Sequence, residues 1–257
     1  MSENPNPVVI EMRGVSAGAM RDITFPVAED VNWTVAPGEF WVIAGQQHSG
    51  KTDFLMLTAG LMAPVKGSYN LFGNEMPMPD EVRAAQRRRL GFVFENGQLF
   101  NRLTLGENVA LPVQYHRDLT DAAAGETVRE LFELMGLYPL ADLTPANVSA
   151  NWLKRAGLAR ALILQPEVLL LDNPLRGLDA QHTQWWLRFL DALCRGHEWF
   201  GGRPMTVIAT TDDLRPWQNG TRRFVLLNDK KFRPAGSWAE LEAADDLVAK
   251  ELLAVPI

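Results

Sequence analysis

Cysteine is almost absent. Cys194 is the only one in 257 residues, which excludes an intrachain disulfide and suits a reducing compartment. Between Leu193 and Arg195 on an expected helix, it reads as a small buried hydrophobe rather than a nucleophile. A basic field is missing too. The chain has 25 Lys and Arg against 31 Asp and Glu, a formal charge of −6, so nothing draws it to nucleic acid or an anionic lipid surface. Arg87-Arg88-Arg89 is the one basic cluster and reads as the solvated end of a helix before a strand at Leu90. No apolar run approaches the length that spans a bilayer, and even Ala161-Leu-Ile-Leu164 stops at Gln165-Pro166. Residues 1–7 carry neither a basic region nor an apolar core, so no secretory signal is expected there. There is no convincing internal repeat and no low-complexity tract.

What is present is enough apolar content, 47%, to bury a full core, expected as a single domain over 1–257. Short apolar strands alternate with longer helical patterns, which predicts an α/β core with a largely parallel sheet. Core strands are expected at 40–44, 90–94, 168–171, 206–210 and 224–227. Residues 8–35 read as strands with turns, irregular over 16–26, and Pro37-Gly38 as a tight turn into the strand at 40. From 98 to 165 the pattern changes to helices at 105–111, 122–135 and 149–164, a helical lobe inserted in the core. The tail, 237–253, reads as one or two amphipathic helices. Trp185 and Trp186 are adjacent on a helix and face different ways, so at least one is expected to be ordinary packing.

The segment Gly45-Gln46-Gln47-His48-Ser49-Gly50-Lys51-Thr52 fits the pattern G-x-x-x-x-G-K-[ST]. It follows the apolar run Phe40-Trp-Val-Ile-Ala44 and precedes the helix-like Asp53-Phe-Leu-Met-Leu, the strand–loop–helix context that makes such a match a phosphate-binding loop. Backbone N–H groups and the positive helix end form the anion site. Lys51 would then reach the terminal phosphates of a ligand and the Thr52 hydroxyl would ligate Mg²⁺. Downstream, Val168-Leu-Leu-Leu-Asp172 is a buried-strand run ending in a carboxylate. Alone, Asp172 reads as a cap on the next turn; beside a phosphate loop it is placed to hold Mg²⁺.

Asp172-Asn-Pro-Leu-Arg-Gly-Leu-Asp179 resembles the Asp-Glu-Pro-x-x-x-Leu-Asp segment of ABC-type ATPases. Val148-Ser-Ala-Asn-Trp-Leu-Lys-Arg-Ala-Gly-Leu-Ala-Arg-Ala-Leu162 is similar to their signature segment, Gly91-Phe-Val-Phe-Glu95 to their Q-loop and Thr210-Thr-Asp-Asp-Leu214 to their H-loop. With the phosphate loop, these segments follow family order over nearly the whole chain. The resemblance implies a P-loop NTPase fold with a RecA-like core of ABC type, an N-terminal β subdomain and the helical lobe at about 98–165. It also implies ATP and Mg²⁺ as ligands, a dimer of such domains, and a membrane permease that holds the chain on the cytoplasmic face of the membrane.

The departures from the family pattern cluster around the chemistry. Asn173 stands where the family has its general-base glutamate; an amide cannot take a proton from water, and a positioned base is worth about 10²–10⁴ in rate. Asp212 replaces the histidine that donates to the γ-phosphate and is expected to oppose ATP unless it is protonated, rotated away or balanced by Mg²⁺. Glu95 replaces the Q-loop glutamine, a gentler change because a carboxylate can still ligate Mg²⁺. In the signature only Ser149 survives; Ala150, Asn151 and Trp152 add side chains where backbone should approach a phosphate. His48 occupies a position that ABC phosphate loops usually give to glycine. Phe25 is the one upstream aromatic that could stack on adenine, and it reads as core. In a homodimer both composite sites carry every departure; with a full-consensus partner neither site is complete.

Three readings follow. The first is an ATP-binding transporter subunit with weakened hydrolysis. The second is an active ATPase using Glu95 or Asp212 in place of Asn173, and the third a non-catalytic regulatory subunit. The stretch 98–112 is similar to importers and to lipid-trafficking ABC ATPases, and the tail 243–253 to the lipid-trafficking group. Cargo belongs to the permease and is not written in this chain.

Overall fold

The computed structural model describes residues 8–117 and 121–254; the N-terminal segment read for a secretory signal lies outside them. Two antiparallel strands, β1 (Ile10–Gly18) and β2 (Pro26–Val35), lead through the Pro37-Gly38 turn to β3 (Phe40–Ala44). In that turn Glu39 N–H donates to the Ala36 carbonyl at 3.3 Å. Helix α1 (Lys51–Thr58), strands β4 (Lys66–Leu71) and β5 (Asn74–Glu75), helix α2 (Asp80–Arg87) and β6 (Leu90–Val93) follow. Three helices, α3 (Leu105–Arg117), α4 (Asp121–Met135) and α5 (Ala150–Leu162), separate β6 from β7 (Val168–Leu171). The chain continues through α6 (Ala180–Arg195), β8 (Thr206–Thr211), β9 (Arg223–Asn228) and β10 (Lys231–Gly236). It closes with α7 (Trp238–Ala243) and α8 (Leu247–Leu253). The expected strand and helix positions are met to within a few residues. The exception is α3, which runs on to Arg117 with Pro112 inside it, so the proline did not end the helix.

The ten strands form one curled sheet in the order β5-β4-β1-β2-β10-β9-β3-β8-β7-β6. The run β9-β3-β8-β7-β6 is parallel throughout, whereas β1, β2, β4 and β5 pair antiparallel. A single register pair, Lys231 with Glu29, joins the two parts through β10 and β2. Parallel strands covered on both faces need apolar residues at every position, and β3 and β7 are buried at every residue. Side chains nevertheless alternate between two cores. Phe40, Val42 and Ala44 of β3 join a core with α3–α6, α7 and α8, while Trp41 and Ile43 join one with α1 and the antiparallel strands. Trp186 is fully buried, and Trp185 stacks on Phe189 with ring centroids 4.8 Å apart. Cys194 is half-buried and donates to the Gly38 carbonyl at 3.0 Å, a packing role as expected.

This topology positions the site. Because β3, β8, β7 and β6 are parallel neighbours, their C-terminal ends lie side by side, and ligands of open α/β sheets bind outside such ends. Ala44 pairs with Thr211, Ala209 with Leu171 and Leu171 with Val93. The residues that leave these four strands therefore emerge along one edge: the phosphate loop, Asp212, Asp172 and, two residues past β6, Glu95.

Candidate nucleotide-binding site

The loop over 45–52 is shaped by backbone that most residues resist. Gly50 caps α1 with φ 87°, and a Cβ there would lie 2.5 Å from Val27 Cβ. A Cβ at Gly45 would meet the Leu227 carbonyl oxygen at 2.3 Å. His48 takes φ 65°, a left-handed conformation that costs an L residue about 1–2 kcal/mol, which is why glycine is the usual choice at that position in similar loops. Buried Lys51 donates through Nζ to the carbonyls of Gly45 at 2.8 Å and Gln46 at 2.6 Å, and lies 3.4 Å from Ser49 Oγ. The ammonium thus holds the loop around itself. Burial lowers its pKa, against the opposing pull of Asp212 and Asp172.

Thr52, one residue on, donates to Asp172 Oδ2 at 2.9 Å and lies 3.1 Å from Oδ1. Asp172 is buried and also accepts from Thr210 Oγ1 at 2.9 Å. A hydroxyl and a carboxylate held together at the edge of a phosphate loop form a hard-oxygen donor pair, which fits Mg²⁺ with the remaining ligands coming from phosphates and water. Among the described residues no group of three or more His, Cys, Asp or Glu is arranged to hold a metal without such help.

Around this pair lies a cleft of about 430 Å³ lined by His48, Lys51, Thr52, Glu95, Asp172, Asn173 and Asp212. The structure therefore brings part of the expected loop, with Glu95, Asp172, Asn173 and Asp212, into one cleft. Asn173 is buried at φ 44°, a conformation an asparagine tolerates, and its N–H donates to Thr210 Oγ1 at 2.9 Å. Gln46 and Gln47 line an adjoining cleft of about 570 Å³, where the Gln46 amide bonds Glu251 of α8.

Ser149 is not among the residues lining either cleft. It is the exposed N-cap of α5, and its side chain makes no capping bond. The bulk added to the signature is taken up within this chain: Asn151 Nδ2 donates to Asp179 at 2.8 Å, and the Trp152 ring packs edge-on to His182 and over the Arg155 guanidinium. The Glu95 loop is gripped by α5 as well, because Arg160 donates to the carbonyls of Gly97 and Gln98, each at 2.9 Å.

Two findings depart from the sequence reading. Phe25 is not core: it is 60% exposed in the tight loop between β1 and β2 and lines the mouth of the phosphate-loop cleft. That loop doubles back with Ala19 N–H donating to the Phe25 carbonyl at 2.9 Å, and Met20 N–H ties it to Asp53 at the start of α1. The second is Arg176, to which no role was assigned. Its guanidinium lies 3.5 Å from Glu95 and 3.8 Å from Asp212, so the carboxylate at 212 is balanced by a cation of the same chain. The available signal was electrostatic: two acids at phosphate-facing positions call for a nearby positive partner.

A glycine-bounded loop between a parallel strand and a helix, with a threonine–aspartate pair at the strand ends, defines a P-loop nucleotide-binding domain. The model of the ABC transporter family matches residues 28–176, more than half of the chain. The sulfate/thiosulfate import ATP-binding protein CysA of Synechococcus elongatus is 33% identical over 221 residues, covering 85% of this chain and 60% of that protein. The probable ribonucleotide transport ATP-binding protein mkl of Mycobacterium leprae is 34% identical over 184 residues, covering 70% and 52%. Among solved structures, the dimeric ATP-binding cassette MJ0796 in a post-hydrolysis state with ADP and Pi matches with a TM-score of 0.77 at 26% identity, over 88% of this chain and 98% of that one. This chain belongs to the ABC transporter family as an ATP-binding domain. It spans 60% and 52% of the length of those two curated relatives.

Proposed function

We propose that this chain is the ATP-binding subunit of an ABC transporter, that it binds Mg-ATP in the cleft at the strand ends, and that it couples that binding to a separate membrane permease. The observation that carries the reading is the Thr52–Asp172 contact beside buried Lys51. Thr52 and Asp172 would hold Mg²⁺, which would supply charge screening at the terminal phosphates. Lys51 would exchange its loop carbonyls for phosphate oxygens, and Phe25 offers an aromatic face at the cleft mouth. Ser149 lies outside this cleft at a helix N-terminus, which supports a composite site completed by a second cassette, whether a copy of this chain or a related one.

Hydrolysis is weakened, because Asn173 offers no proton acceptor where the family's base stands. A second reading keeps hydrolysis and moves the base to Glu95 or Asp212, which share the cleft with Asn173; their engagement with Arg176 favours the first. The helical lobe of about 98–165 is the surface for the permease, which sets both cargo and membrane attachment. Among the described residues no helix is long and apolar enough to cross a membrane. The two curated relatives are named for sulfate/thiosulfate and for ribonucleotide transport, so cargo is not common to proteins this similar. The tail likeness makes a lipid-handling permease the first partner to seek.

The reading is tested by nucleotide titration. The unsubstituted chain is expected to bind ATP in a Mg²⁺-dependent way, and Lys51→Ala to lose that binding; equal affinity in the two proteins would overturn it.

A further inference from the structure

Three strand ends contribute to a charged network in the nucleotide cleft. Glu95 follows β6, Arg176 lies four residues past Asp172 at the end of β7, and Asp212 follows β8. The Arg176 guanidinium stands between the two acids at 3.5 and 3.8 Å, ion-pair distances longer than a well-made charged hydrogen bond. Its backbone, by contrast, is pinned. Buried Lys154 on α5 donates to the Arg176 carbonyl at 2.6 Å, and Arg176 N–H donates to the Asn173 carbonyl at 3.3 Å. A fixed main chain thus carries a half-exposed, loosely held guanidinium.

Lys51 and Arg176 in this cleft, with buried Lys154 behind it, interact with three carboxylates, Glu95, Asp172 and Asp212. Asp53 also lines the cleft, so these groups sum to −1. Without Arg176 the set is more negative still and faces a polyanion. Arg176, Asn173 and Asp212 also line both adjoining clefts, which puts the guanidinium on the ridge between them.

We propose that Arg176 is a γ-phosphate-binding residue of this site, held between Glu95 and Asp212 while the cleft is empty and transferred to the terminal phosphate when ATP enters. This deepens the Mg-ATP reading above and rests on it. A guanidinium matches phosphate oxygens with paired N–H donors. Moving from two partly solvated carboxylates to a phosphate exchanges one set of charge-assisted contacts for another, so the latch opens at small cost. ADP has no γ-phosphate to take the guanidinium, and the latch stays closed. Arg176 therefore discriminates triphosphate from diphosphate, and it makes acids at 95 and 212 compatible with nucleotide binding.

The test is calorimetric titration of AMP-PNP and of ADP, each with excess Mg²⁺, into the unsubstituted chain, Arg176→Ala, Arg176→Gln and the double variant Glu95→Gln/Asp212→Asn. Arg176→Ala is expected to weaken AMP-PNP about tenfold or more, the scale of one hydrogen bond to a charged group, and ADP by less than about threefold. Arg176→Gln keeps the side-chain length, is expected to show the same selective loss, and decides the matter if the alanine variant does not fold. The double variant, which frees the guanidinium, is expected to tighten AMP-PNP and leave ADP nearly unchanged. Equal losses for both nucleotides, no loss at all, or weaker AMP-PNP binding by the double variant would overturn the role of Arg176 and leave the Mg-ATP reading standing. No binding of either nucleotide by the unsubstituted chain overturns both.

Discussion

Replacing Asp172 with asparagine removes one charge from the cleft and keeps the shape of the side chain. Its carboxylate is buried and accepts hydroxyls from Thr52 at 2.9 Å and Thr210 at 2.9 Å. An asparagine carbonyl can still accept from Thr210, and its amide can donate to the Thr52 oxygen once that hydroxyl turns. Both contacts survive with rearranged protons, so the stability of the nucleotide-free protein is expected to change by about 1 kcal/mol or less. The metal experiences a different change. Unit charges 4 Å apart interact by up to about 4 kcal/mol at an effective dielectric near 20, and a divalent ion doubles that. Intervening water and the open cleft reduce the net effect to about 1.4–2.8 kcal/mol, or ten- to hundredfold in affinity for Mg-ATP. Metal-free ATP should bind the variant no worse than the parent, since a like charge has gone. The assay is ATP affinity with Mg²⁺ and with a chelator, read as the ratio of the two Kd values beside a thermal unfolding curve. A variant that keeps the full Mg²⁺ enhancement would refute the assignment of Asp172 to the metal.

Two further substitutions probe the grip on the Glu95 loop and the missing base. A Cβ at Gly157 would lie 2.7 Å from Gly97 Cα and 3.1 Å from its carbonyl oxygen, so Gly157→Ala forces α5 and the loop apart and is expected to cost about 1–3 kcal/mol in thermal or urea unfolding. Asn173→Glu is expected to raise ATP turnover by a factor within the roughly 10²–10⁴ that a general base supplies, while losing about 1 kcal/mol or more of stability because glutamate enters the left-handed conformation now held by asparagine. In the same turnover assay Glu95→Gln and Asp212→Ala should change the parent rate little; a large loss in either would transfer the base to that residue and favour the second reading.

The parallel core was legible because β3 and β7 are short, continuous apolar runs, and burial on both faces leaves no other composition for them; β6 (Leu-Gly-Phe-Val) and β8 (Thr-Val-Ile-Ala-Thr-Thr) carry the same signal more weakly. The strands of the antiparallel part were harder to see. β4 reads Lys-Gly-Ser-Tyr-Asn-Leu, half of it polar, and only Tyr69 and Leu71 are buried. The helix expected at 105–111 runs on to Arg117 with Pro112 inside it, packed against α4 and α5; tertiary packing outweighed the local preference. Phe25 was assigned to the core on hydrophobicity alone. Its exposure follows from the doubled-back loop between β1 and β2, whose close approach of Gly18 to Ile23 has no local periodicity to announce it. The phosphate loop at 45–52 and Asp172 were legible from their strand context, whereas 95, 173 and 212 were picked out by resemblance to the ABC family; all of them converge because they leave adjacent parallel strands. Arg176 and Lys154 escaped because residue-by-residue comparison judges each position against a pattern and does not add up charge.

That sum changes how the departures are read. Taken singly, an aspartate at 212 repels a triphosphate and a glutamate at 95 adds to the repulsion. In the folded chain both carboxylates face the Arg176 guanidinium, and the ammonium of Lys154 sits beneath its backbone. Removing one member of such a set leaves the others uncompensated, which is where the energetic penalty of partly buried charge falls. Restoring one position toward the family pattern, such as histidine at 212 alone, would loosen Arg176 without returning the site to the family's electrostatics. Glu95, Asp212, Lys154 and Arg176 are therefore expected to respond to substitution as a set rather than one by one.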